Sequence, residues 1–143
     1  MPTYNGEKYI KKAIESCLHQ TYKSIELIVV DDGSTDNTAK FAKGVGDSRL
    51  KFIRLKQNSG LAVALNKGFT LSTGEYLTWT SDDNLYESKA IETMVNHLGK
   101  YKEVDFVYAN YYRTNENGEI TECMFVEPPH RLVEHNCIGP CFM

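Results

Sequence analysis

At 143 residues, with 41% hydrophobic and 24% charged side chains, the chain has the make-up of one globular domain, able to bury roughly 70% of its unfolded surface. A net charge of −3 provides no basic stripe to neutralise phosphates, which argues against nucleic acid as a partner. No apolar run approaches the ~20 residues that span a bilayer, and the N-terminus lacks the apolar core of a signal peptide. A cytoplasmic protein is therefore expected, with peripheral membrane association left open.

In chain order, apolar residues at Tyr9/Ile10, Ala13/Ile14 and Cys17/Leu18 form a helical stripe that ends near Gln20-Thr21-Tyr22. Residues 25–30 are a continuous apolar run too short for a helix, and read as a strand buried on both faces. Gly33-Ser34-Thr35-Asp36 supplies a turn and N-cap candidates for a helix through about Lys43. The alternation from Arg49 to Leu55 predicts a strand, and Asn58-Ser59-Gly60 breaks the chain before a helix with Leu61, Ala64, Leu65 and Phe69. Tyr76 to Trp79 reads as the next strand, and Ser88 as the cap of a helix with Ile91, Met94, Val95 and Leu98 on one face. Val104 to Ala109 reads as another buried strand. Asn115-Glu116-Asn117-Gly118 is a hairpin-type turn, with Ile120 to Val126 returning.

Strands alternating with helices of about ten residues predict right-handed crossovers, a mostly parallel sheet and an α/β fold. The hairpin near residue 117 predicts one antiparallel ribbon. Both ends read as cut. The chain opens on the loop-like Pro2-Thr3-Tyr4-Asn5 with no strand before it, and closes on the apolar Ile138 to Met143. The four cysteines, Cys17, Cys123, Cys137 and Cys141, fit reduced structural thiols better than a zinc site, because a second closely spaced pair is missing.

Two acidic pairs stand where predicted strands end: Asp31-Asp32 before Gly33-Ser34, and Asp82-Asp83 between Ser81 and Asn84. Adjacent carboxylates repel one another, so packing alone is a poor reason for them. In an open α/β sheet that edge is where ligands bind. At the first pair a carboxylate can accept a hydrogen bond from the imide N–H of a pyrimidine; equally, both acids can simply build the turn and cap the next helix. The second pair offers hard oxygen ligands of the kind Mg²⁺ or Mn²⁺ takes, with substrate phosphates completing the shell. A base at the first pair and a diphosphate at the second is the arrangement a nucleotide needs. Neither a G-x-G-x-x-G nor a G-x-x-x-x-G-K-[ST] loop is present, so dinucleotide and P-loop chemistry lack support.

Pro2-Thr3-Tyr4-Asn5, Gln20-Thr21-Tyr22, and Glu26 to Val30 running into Asp31-Asp32-Gly33-Ser34-Thr35-Asp36 together resemble the opening of family 2 glycosyltransferases. Asn58-Ser59-Gly60 with Ala64-Leu65-Asn66, then Gly74-Glu75-Tyr76 with Ser81-Asp82-Asp83, continue the match in order over nearly the whole chain. The resemblance implies a GT-A fold, Rossmann-like and three-layered α/β/α, with residues 1–143 an incomplete nucleotide-sugar-binding domain. Its first strand and its C-terminal acceptor part would be missing. It implies transfer of a sugar from a nucleoside diphosphate donor, a UDP-sugar, to a glycan or other hydroxyl acceptor, metal-dependent and inverting. Thr3 and Tyr4 fall where the family holds the nucleobase, Asp32 on the acid that bonds the base with Asp31 beside it, Asp82 near the ribose, and Asp83 on the metal-binding carboxylate.

The chain departs from the commoner Asp-x-Asp-Asp form in carrying Ser81 and Asn84, which leaves Asp83 nearly alone as an anionic ligand for Mg²⁺ or Mn²⁺. Leu65 stands where many members carry arginine. Glu122, Glu127 and Glu134 are available acids, but none sits in the motif of the family's general base. The alternative is a non-catalytic nucleotide-sugar-binding module. A sugar-1-phosphate nucleotidyltransferase would need a glycine-rich, basic phosphate loop, which Pro2 to Lys8 does not supply.

Overall fold

A computed structural model describes residues 1–126 and Met143. The chain divides into two compact units, Met1–Thr93 and Met94–Met143. The first contains β1 (Pro2–Thr3), α1 (Ile10–Leu18), β2 (Leu27–Asp31), α2 (Thr38–Lys43), β3 (Leu50–Arg54), α3 (Leu61–Leu71) and the start of α4 (Ala90–Lys100). Its strands pair in the order β1-β2-β3, and both pairings are parallel.

Why β2 is apolar from Leu27 to Val30 follows from the layers. Successive side chains of a strand point to opposite faces. Leu27 and Val29 join Ile10, Ala13, Ile14, Cys17 and Leu18 of α1 and Ala42 of α2. Ile28 and Val30 turn the other way, onto Ala64 of α3 with Ile53 and Leu55. Helices cover both faces, so the strand has no solvent side on which to place polar residues. The three-layer arrangement is the one the family resemblance implies.

From Ile10 to Leu18 the α1 stripe is buried as its spacing predicts, whereas Tyr9 stands before the helix and is exposed; the carbonyl of Gly6 accepts the first amides, from Tyr9 and Ile10. Just past its end lies Gln20, which is fully buried. Its Nε2 donates to the carbonyls of Ser16 (3.0 Å) and Glu87 (2.8 Å), and its Oε1 accepts from the Ile91 amide (3.0 Å). The Gln20 amide therefore caps α4, a job the sequence assigns to Ser88.

Three further expectations are corrected. Pro2 and Thr3 are not loop but strand, in register with Val30 and Asp31. Tyr76 to Trp79 joins no ladder among the described residues: Thr78 and Tyr86 hydroxyls bond at 3.1 Å, and the Tyr86 hydroxyl reaches the Trp79 carbonyl at 3.4 Å. An extended run needs a neighbour with matching N–H and C=O groups to become a strand, and its apolar pattern does not report one. Val104 to Ala109 likewise forms no continuous strand among the described residues. Val107 is buried and exchanges two backbone bonds with Met143 (3.0 and 2.8 Å), whereas Phe106 is exposed.

In the second unit, β4 (Tyr111–Thr114) and β5 (Ile120–Met124) form the expected antiparallel hairpin. Its turn uses Gly118 at φ 84°, a region that favours glycine, and Asn115 Oδ1 accepts from the Asn117 and Glu119 amides. Cys17 is buried and Cys123 exposed, both as free thiols. Cys137 and Cys141, like Glu127 and Glu134, lie outside the described residues.

Replacing Gln20 by leucine leaves the Ile91 amide and two carbonyls without their partner, and is expected to cost about 2–4 kcal/mol, measured by urea unfolding. Glu26 takes bonds from Lys51 Nζ (2.6 Å) and the Thr73 amide (2.5 Å), which hold its carboxyl at about 2. A depressed carboxyl stabilises the fold above its unfolded value, ~4.3, and that contribution is lost as pH falls toward the folded one. Accordingly, Glu26→Gln lowers the melting temperature at pH 7, and the gap to the parent closes between about pH 4 and 2.

Candidate functional site

Parallel pairing brings the carboxyl ends of all three strands to one edge. Thr3 is opposite Asp31, and Asp31 opposite Arg54. The pairing continues one residue further: the Asp32 amide donates to the Thr3 carbonyl and the Leu55 amide to the Asp31 carbonyl, each at 2.8 Å. The first acidic pair thus stands at the edge where its sequence position predicted it.

The two acids have separate jobs. Asp31 is 0% exposed. Its Oδ1 accepts from the Ser34 amide at 2.8 Å, which builds the turn. Its Oδ2 takes no hydrogen bond and faces Arg54 Nε at 3.4 Å, while the same guanidinium donates to the Ser34 carbonyl. Asp32, 4% exposed, accepts from the amides of Ser59 and Gly60 at 2.8 Å each. It therefore holds the entry to α3, not to α2. The α2 entry belongs to Asp36, whose Oδ1 accepts from the Thr38 amide at 3.0 Å. Gly33 is required here: at φ 78°, a Cβ would lie 2.7 Å from the Gln57 backbone carbon.

Two loops at this edge are tied to each other. The Asn5 amide donates to Ser34 Oγ (2.9 Å) and Asn5 Oδ1 accepts from the Thr35 amide (2.8 Å). Two residues on, the Glu7 amide donates to Asp36 Oδ2 (3.1 Å) and Glu7 Oε2 accepts from the Asn37 amide (2.9 Å). Asn5 adopts φ 54°, a left-handed conformation that asparagine tolerates better than most residues. Tyr4, 47% exposed, lies between these ties and Thr3. Sequence reasoning missed Asn5, Glu7, Ser34 and Arg54. The one signal it held was polar residues spaced two apart in both loops.

The second acidic pair reaches the same edge. The Thr3 hydroxyl donates to Asp82 Oδ2 in a short bond, so Asp82 lies one residue from the Asp32 backbone bond. Burial, with the neighbouring Asp83 carboxylate behind it, pushes the Asp82 carboxyl above the usual aspartate range, although the Thr3 hydroxyl and the Tyr4 amide pull the other way. Asp83 is exposed. Among the described residues no three His, Cys, Asp or Glu side chains converge on a point. That donor set does not make a closed protein cage. It does fit a hard divalent cation that takes its remaining ligands from phosphate and water.

Residues 1–139 match the model of Glycosyl transferase family 2, and the chain belongs to that family. An uncharacterized glycosyltransferase of Rickettsia typhi is 42% identical over 132 residues, which are 92% of this chain and 40% of the relative. Glycosyltransferase GlyA of Streptococcus pneumoniae is 37% identical over 119 residues, 82% of this chain and 17% of its own length. The chain therefore spans two fifths or less of these curated relatives. Among solved structures, S. aureus TarS in complex with UDP is similar at 27% identity and TM-score 0.69, over 75% of this chain and 32% of that one. Mannosyltransferase PcManGT from Pyrobaculum calidifontis, in complex with GDP-Man and Mn²⁺, is similar at 28% identity and TM-score 0.69, over 78% and 34%. The fold is the GT-A fold of these glycosyltransferases.

A carboxyl raised in the folded state favours folding when protonated, and that advantage is fully present below its unfolded value and disappears as pH rises through the folded one. Asp82→Asn is therefore expected to raise the melting temperature at pH 7 in metal-free buffer. The gain vanishes below about pH 4, near the ordinary aspartate value.

Proposed function

We propose that this chain is the donor-binding part of a glycosyltransferase that moves a sugar from a nucleoside diphosphate, a UDP-sugar, to a hydroxyl of a glycan acceptor. The observation that carries this reading is the Thr3–Asp82 bond, which brings the second acidic pair to the edge where Asp31 and Asp32 end β2. Family membership supports it, as do similar structures that hold UDP, UDP-GlcNAc, or GDP-Man with Mn²⁺.

In this reading Tyr4 offers its exposed ring to the base, with Thr3 beside it. Asp32, already oriented by two backbone amides, accepts from the base, and Asp31 fixes the turn that carries it. Asp82 receives the ribose hydroxyls. Asp83 would hold the divalent cation, Mg²⁺ or Mn²⁺, which when bound neutralises charge on the diphosphate leaving group. Transfer is inverting: the acceptor hydroxyl attacks the anomeric carbon from the face opposite the departing nucleoside diphosphate, and loses its proton to a general base. Glu122 is engaged by Arg113 Nη1 at 3.3 Å across the hairpin, a poor position for that base.

A second reading, a nucleotide-sugar-binding module without catalysis, is favoured by the pairing of Glu122 with Arg113 across the hairpin. Both readings require donor binding. UDP with Mn²⁺ is expected to raise the melting temperature, corresponding to about 2.7 kcal/mol at a hundredfold excess over Kd. Asp83→Ala removes the metal-dependent part of the shift. Equal shifts for every nucleotide, or none, would count against donor binding, whereas transfer at full rate by this chain would exclude the module reading.

A further inference from the structure

A single position in the loop after β1 has no side chain, and that absence decides where Asp82 can go. A Cβ built on Gly6 would lie 2.1 Å from Asp82 Oδ2, 2.9 Å from its Cγ and 2.8 Å from Thr3 Oγ1. These are far inside van der Waals contact. The groups met are the ends of two side chains, not backbone, so the strain has an inexpensive release: the carboxylate rotates away from Thr3. Gly6 is also not one of the left-handed glycines, which are Gly33, Gly46, Gly60 and Gly118. An alanine there keeps the backbone, and keeps the Gly6 carbonyl that accepts the first amides of α1.

We propose that Gly6 is a positioning residue for the donor site. Its bare Cα makes the space in which the Asp82 carboxylate meets the Thr3 hydroxyl, and any side chain at this position turns Asp82 off the sheet edge. The proposal rests on the reading of Asp82 as a donor contact, and adds a residue that touches no donor itself. It acts chiefly through Asp82, whose Oδ2 is the nearest atom that a Cβ would meet. For that reason its effect must disappear when Asp82 is removed, which an independent folding role for Gly6 would not produce.

The test is a double-mutant cycle in the 143-residue chain: Gly6→Ala, Asp82→Ala and the pair, each titrated with UDP and Mn²⁺ by calorimetry, alongside thermal unfolding. Gly6→Ala is expected to unfold within a few degrees of the parent and to bind UDP about tenfold more weakly, the scale of one lost bond to a charged group. In the Asp82→Ala background the same substitution changes affinity by less than about twofold. Parent-like UDP affinity in Gly6→Ala, or losses that simply add in the double variant, would overturn the proposal. If the parent binds neither UDP nor GDP, the donor reading fails instead. The steric claim is then decided by a crystal structure of Gly6→Ala. Asp82 displaced from Thr3 supports it, and Asp82 still bonded to Thr3 refutes it.

Discussion

Everything at the candidate site depends on how the parallel ladder ends. The Thr3 carbonyl accepts from the Asp32 amide, and the Asp31 carbonyl accepts from the Leu55 amide, so three strand ends are locked at one level. Once that level is fixed, the first carboxylates project from a known place, and each finds backbone amides. Asp31 takes the Ser34 amide, and Asp32 takes those of Ser59 and Gly60. Charged acceptors on backbone donors make stronger bonds than neutral ones. Two buried aspartates are therefore tolerable at a sheet edge, and they order two loops while they are there.

This arrangement dissolves the contrast between a structural and a functional reading of the acidic pair. Asp32 is oriented by the loop it organises, which is what a carboxylate that must present one lone pair to a ligand requires. Asp31 is more purely architectural. Its Oδ2 lies near Arg54 without a directed bond, and Arg54 secures Ser34, which in turn receives the Asn5 amide. The chain of contacts ends at Asn5, next to Tyr4, so the loop that carries the exposed tyrosine is tied down several residues away.

The second acidic pair follows a different logic. It follows a run in which the Thr78 and Tyr86 hydroxyls bond each other, and the Thr3 hydroxyl holds Asp82. Side-chain anchoring of this kind leaves Asp82 partly desolvated beside another carboxylate. Burial there disfavours the charged form of the Asp82 carboxyl.

Much of this was legible in the chain. The α1 stripe, the doubly buried β2, the hairpin with Gly118 and the acids at strand ends follow from local periodicity and turn chemistry, which neighbouring residues set among themselves. Pairing and long-range capping were not legible. Pro2-Thr3 is a strand because Val30 and Asp31 lie opposite. Tyr76 to Trp79 is not one, because no ladder partner meets it among the described residues. Gln20 replaces Ser88 as a cap because folding brings it against Ile91. Those outcomes depend on groups dozens of residues apart, and a sequence pattern records what a residue prefers, not which distant donor or acceptor arrives beside it.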